Sequence, residues 1–137
     1  MTSWLEALSD TRGINAIFGG DVPALDRVAM HEISLNRDGP SATLRFDLPG
    51  YPASPPAKWL AQGFNVVQVT LLLIGVQDLS IQGWSHQGTV DLKLSRDGST
   101  VVARGSSEST RFDIRADAAV VTSLTAYQDE LAPTRDG

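Results

Sequence analysis

Polar and apolar residues alternate with period two across "ATLRFDL", residues 42–48, with Ala42, Leu44, Phe46 and Leu48 in one row and Thr43, Arg45 and Asp47 in the other. A strand sends successive side chains to opposite faces, so this spacing predicts a half-buried antiparallel strand. Upstream, Ile33 and Leu35 keep step with the apolar row, whereas Val28 and Met30 have the opposite parity. One extra residue near His31 reconciles the two sets, and a β-bulge is predicted there. Between the two strands lies "NRDGPS", whose Asp38-Gly39 pair supplies the positive backbone angles of a hairpin turn.

"FNVVQVTLLLIGV", residues 64–76, is the most apolar run and is rich in β-branched side chains. It reads as the central strand, covered on both faces toward its end. "DLSIQGW" either continues it or pairs beside it after Gly75. "TVDLKLS", "TVVARG" and "TRFDIRA" follow as a meander joined by "RDGS" and "GSSES". Each member buries one row: Val90, Leu92 and Leu94; Val101 and Ala103; Phe112 and Ile114. In "DAAVVTSLTAYQDEL", Val120, Leu124, Tyr127 and Leu131 have helical spacing, but the valines and threonines favour a strand through about residue 127.

Before residue 20 the period lengthens. Ser3 and Glu6 have the spacing of a capping box ahead of a short helix over residues 4–9. In "TRGINAIF", Ile14, Ile17 and Phe18 share a helical face, and Gly19-Gly20 supplies the stop. Asp10 and Asp117 read as caps. The pattern predicts a mainly β fold (α+β by strict count), an antiparallel sandwich or roll of about seven or eight strands with a short helical N-terminus. Residues 1–137 are expected to form a single domain, with helices within about 3–19, the sheet over about 27–128 and a tail over 129–137.

The 137 residues suffice for a core that needs neither disulfide nor metal, and 42% hydrophobic with 20% charged residues is ordinary for a globular chain. No apolar run reaches membrane-spanning length and the start lacks the pattern of a secretory signal, so a cytoplasmic location without membrane association is expected. The absence of cysteine excludes disulfides and thiolate chemistry. A net charge of −5 argues against nucleic acid as a partner; the same acidity would steer a basic partner or simply keep the chain in solution.

Candidate chemistry is sparse. The histidines are His31 and His86; Glu32 beside His31 would be the third ligand of a metal site, but neighbours on a strand face opposite ways. "GWSHQG" sets Ser85 beside His86 without the spacing of a nucleophile elbow. Gly19-Gly20 has no phosphate-loop context. No catalytic, metal or cofactor-binding residue is assigned, and no enzyme is expected. "LPGYPASPPAKW", residues 48–59, spaces prolines at 49, 52, 55 and 56. It has the period of polyproline II, yet its simpler role is to end one strand and stiffen the crossover to the next. Tyr51 and Trp59 either brace that crossover or are displayed by it.

The order of these pieces carries a resemblance. A Trp-containing N-terminal helix, then "IFGGDVPALDRVAMHEISLNRDGPSATLRFDLPGYPASPPAKW", then an apolar strand with "GW" and a final "TSLTAYQ", resembles the immunity protein 50 family of bacterial polymorphic-toxin systems. The resemblance implies a small cytoplasmic protein that binds and neutralises a cognate protein toxin, with no catalysis and no cofactor. Physical reasoning adds a candidate contact surface of aromatics within an acidic rim: Asp21 and Asp26 in "GGDVPALDR", Tyr51, Trp59 and Trp84. Two other readings use the same residues or the histidines. One is a small-molecule or carbohydrate-binding β-domain with Trp59, Trp84 and Tyr51 lining a concavity; the other is a metal-dependent enzyme built on His31 and His86.

Overall fold

Six antiparallel strands close into a barrel in the computed structural model, which describes residues 4–84 and 89–129. Around the barrel the order is β1 (Val28–Asn36), β2 (Ser41–Asp47), β3 (Val66–Gln82), β6 (Arg111–Tyr127), β5 (Thr100–Ser106) and β4 (Thr89–Asp97). Closure rests on two residue pairs, Val28 with Val90 and Ala29 with Thr89. The mainly antiparallel β reading with a helical start therefore stands. Ser3, Ser85, His86 and residues 130–137, with Leu131 and all but the first residue of the expected tail, lie outside the described residues.

The strands number six because one expected break, before the last segment, and one left open, at Gly75, are bends. β3 and β6 each run 17 residues, so "DLSIQ" continues the apolar strand and the last segment continues "TRFDIRA". Gly75 makes the bend in β3 possible. Its φ of 69° is a left-handed conformation, and a β-carbon there would lie 2.2 Å from Asp117 Oδ2. The β3–β6 register then shifts between Val76 and Asp78, and again between Thr70 and Leu71, so each strand turns a corner without ending. Long strands bent this way can belong to both halves of a barrel, which a sandwich of separate sheets does not require.

The bulge expected near His31 is present: Met30 pairs with Phe46 and Glu32 with Arg45, leaving His31 as the extra residue. It joins the two parities of β1 on one inward row. Asp117 is no helix cap; it sits within β6, where its Oδ1 accepts from Gln77 Nε2 at 2.7 Å. Asp10 does serve the first helix, because its Oδ1 accepts from the Arg12 backbone N–H at 3.0 Å. The Arg12 side chain and that backbone bond hold the Asp10 carboxyl down at about 2.

The N-terminal helices are short, as expected. A 3₁₀ turn spans Trp4–Ala7 and α1 spans Arg12–Phe18, ending on Gly19 at φ 63°. Their Trp4, Ala7, Leu8, Ile14 and Phe18 join the barrel core of Leu44, Phe46, Val67, Val69, Leu71 and Ile114. One element was not expected. After the prolines the crossover forms α2, Ala57–Gln62, started by Pro56 and stopped by Gly63 at φ 68°. Leu35, expected in the buried row, is 54% exposed, since β1 is paired to β4 only at its other end.

Candidate partner-binding surface

Where β4, β5, β6 and the far end of β3 lie side by side, their outward residues line an open trough of about 610 Å³. Register sets two rows across its floor: Lys93, Arg104, Asp113 and Ser80 in one, Asp91, Ser106, Arg111 and Gln82 in the other. Lys93 and Arg104 stand directly opposite each other, an unfavourable pairing of like charges on a sheet. Arg104 is neutralised by Asp113, Nε to Oδ2 2.8 Å. Lys93 and Arg111 have no ion pair among the described residues.

Asp26 forms part of the trough's lining, and the backbone beside it explains its position. Arg27 has a positive φ of 57°, uncommon without glycine, and its N–H donates to Asp91 Oδ1 at 2.9 Å. The Leu92 N–H also donates to the Leu25 carbonyl at 2.9 Å. Both bonds dock the loop "ALDR" on β4 and leave the Asp26 carboxylate exposed at the trough.

A second polar cluster lies on the outer wall of β1, β2, β3 and β6. Asp47 is 9% exposed although its parity points outward. Its Oδ2 accepts from Tyr127 Oη and lies 2.8 Å from His31 Nε2, and its Oδ1 accepts from Gln68 Nε2 at 3.1 Å. Gln68 Oε1 accepts from Arg45 at 3.3 Å, Arg45 Nε donates to Glu32 Oε1 at 3.1 Å, and Ser34 donates to Glu32 Oε2 at 2.6 Å. Ser34 and Arg45 together hold the Glu32 carboxyl below its usual range. The His–Asp pair has no nucleophile bonded to the imidazole among the described residues, so the cluster ties four strands together and does not assemble an acyl-transfer triad. The bulge puts both His31 and Glu32 on this outer wall, contrary to the alternation expected of strand neighbours, yet they turn to different partners, Asp47 and Arg45.

Tyr127 and Tyr51 are the two tyrosines of the chain. Burial, reinforced by the Asp47 carboxylate, pushes the Tyr127 phenol well above its ordinary range. Burial alone raises Tyr51, whose hydroxyl is enclosed without a hydrogen-bond partner among the described residues. A phenol whose folded pKa is raised stabilises the fold below the unfolded value, near 10, and that stability falls as pH climbs above it. In an alkaline titration the phenolate absorbance therefore rises together with loss of the β-sheet circular dichroism signal. A separate phenolate step at about pH 10 in the still-folded protein would contradict the burial of both rings.

The five candidate contact residues are distributed as follows. Tyr51 and Trp59 pack half-buried against the core with ring centroids 6.2 Å apart, as a brace for the crossover. Asp21 is exposed, Asp26 is at the trough, and Trp84 is 53% exposed two residues beyond Gln82. The loop carrying Asp21 and Asp26 touches the crossover, since a β-carbon on Gly50 would sit 3.1 Å from Pro23 Cβ. Trp4 Nε1 donates to the Pro23 carbonyl at 3.0 Å and fixes that junction. None of the three aromatics lines the trough, which is charged and not the aromatic concavity a carbohydrate site would need.

Lys93, Arg104 and Arg111 are surface charges that the sequence pattern did not single out. Their alternation with Leu92, Leu94, Ala103 and Phe112 looks like any solvated strand face; only register places the three cations together. No curated protein and no solved structure matches the chain. The family model of immunity protein 50 matches residues 10–127, from two residues before α1 to the last residue of β6, and the chain belongs to the immunity protein 50 family.

Proposed function

We propose that this protein binds a cognate bacterial protein toxin and neutralises it in the cytoplasm of the producing cell, without catalysis. Family membership over residues 10–127 is the observation that carries the proposal. The surface that meets the toxin is the trough with its Asp26 rim. Asp26 and Lys93 present charges that no ion pair within the described chain engages, and such groups steer a charged partner and fix its orientation. Asp21, exposed in the same loop, extends the acidic side of the contact.

The test is co-expression with the toxin encoded beside this gene. Cells carrying both survive, and the purified proteins form a complex; death of the co-expressing cells with the immunity protein present in soluble form would overturn the proposal. The surface is tested separately with Asp26→Lys and Lys93→Glu together. Reversing two charges at an interface is expected to weaken binding by about 10- to 100-fold, mainly through slower association, while leaving the circular dichroism spectrum unchanged. Unchanged affinity would place the contact elsewhere and leave the immunity reading intact.

A further inference from the structure

Among the described residues, the outer edge of β3 carries an unpaired stretch. β2 pairs with β3 only from Gln68 to Ile74, and the last bond on that side runs from the Val76 N–H to the Pro40 carbonyl at 2.9 Å. From Asp78 to Gln82, β3 is paired among the described residues with β6 alone. Pro40 closes this stretch at one end, and Gly83, turning at φ 76° against the Ser109 carbonyl, closes it at the other. Free sheet edges are usually blunted by charge, above all lysine, by proline or by a bulge; here Asp78 is the one charge, next to the register shift after Val76, and Leu79 to Gln82 carry no lysine or proline. Leu79 and Ile81 share a face with Ile114 and Phe112 yet are 37% and 38% exposed.

The stretch reads nearly the same in both directions about Ser80: Asp78, Leu79, Ser80, Ile81, Gln82. We propose that β3 pairs with β3 of a second copy, antiparallel across a two-fold axis at Ser80, to form a homodimer. In that register Leu79 faces Ile81 of the other copy on the apolar side, and Asp78 faces Gln82 on the polar side. Self-complementarity of this kind is what a two-fold interface requires. Charge favours it as well. Arg111 pairs with Gln82 across the β6–β3 ladder, so the dimer aligns Arg111, Gln82 and Asp78 of the other copy in one row. Arg111 and Asp78 are both exposed and have no ion pair within their own chain among the described residues. Two strand spacings, about 10 Å, separate them in the dimer, a gap that an arginine leaning over a glutamine spans. Because the two-fold pairs this stretch with the same stretch of the other copy, the contact is used up in the dimer and assembly through it stops at two.

The proposal does not depend on toxin binding and is tested on the protein alone. Sedimentation equilibrium at submillimolar concentration gives a monomer–dimer equilibrium. Asp78→Arg raises the dimer dissociation constant about tenfold by setting two cations in one row, either side of Gln82, twice per dimer, and adding Arg111→Asp restores it to within about twofold. The native chain has no cysteine, so Ser80→Cys supplies a single thiol at the axis. Residues directly opposite on antiparallel strands lie within the reach of a disulfide. Under mild oxidation Ser80→Cys forms a covalent dimer much faster than Ser95→Cys, which is exposed on the outer face of β4. A protein that stays monomeric at submillimolar concentration, larger oligomers, or equal cross-linking of the two cysteine variants would each overturn the proposal.

Discussion

Replacing Asp47 with alanine is expected to cost about 2–4 kcal/mol of folding stability, more than removal of any other polar side chain on the barrel wall. The carboxylate accepts from three elements at once: His31 at the bulge of β1, Gln68 on β3 and Tyr127 at the end of β6. Truncation leaves those donors facing a gap. His31 regains water readily, because its side chain is 37% exposed, so most of the cost falls on Tyr127 and Gln68. Asp47→Asn keeps one acceptor oxygen but turns an amide donor toward other donors, and its cost lies between those of wild type and alanine. Tyr127→Phe added to Asp47→Ala should cost little more, since the bond it removes is already lost. Urea unfolding with an unchanged m-value provides the measurement. A loss below about 0.5 kcal/mol for Asp47→Ala would mean that the cluster is incidental to the fold.

Why Asp47 escapes a reading of the sequence is instructive. In "ATLRFDL" it occupies the polar row, and period two assigns that row to solvent. Its cover comes from Tyr127, 80 residues away, and from His31, which reaches it only because β1 carries an extra residue there. The bulge itself was legible, because it leaves a parity break between Met30 and Ile33 that no regular strand can produce. Gly75 left two paths open for the opposite reason. A glycine inside an apolar run signals a possible end as much as a bend, and the choice depends on Asp117 lying against it. Closure of the barrel left no pattern at all, since it hangs on two pairs between strands about sixty residues apart. At the candidate surface, Asp26 stood out as an acid in a loop. Lys93, Arg104 and Arg111 did not, because charge clustering across strands is a property of register.

Gly105→Ala should reverse the usual sign of a glycine-to-alanine change. At a glycine with ordinary backbone angles, alanine restricts the unfolded chain and normally stabilises by about 0.4–1 kcal/mol. Gly13 in α1 is such a site, since a β-carbon there would meet only Leu124 Cδ1 at 3.7 Å, an ordinary contact. At Gly105 the same atom would lie 2.1 Å from Phe112 Cε2 and 2.3 Å from Cζ. Gly105 and Phe112 are direct partners across the β5–β6 ladder, and the ring lies over the glycine on the inner face. Phe112 is 3% exposed, so the ring has little free volume to retreat into, and overpacking of this kind costs about 1–3 kcal/mol. Gly105→Ala is therefore destabilising while Gly13→Ala is stabilising. Shortening the ring removes the clash: Gly105→Ala with Phe112→Leu should be at least about 1 kcal/mol more stable than the sum of the two single changes predicts. Thermal or urea unfolding of the four proteins in the cycle gives the coupling directly. Strict additivity would show that the ring does not need the space that Gly105 leaves, and that β5 tolerates a side chain at this position.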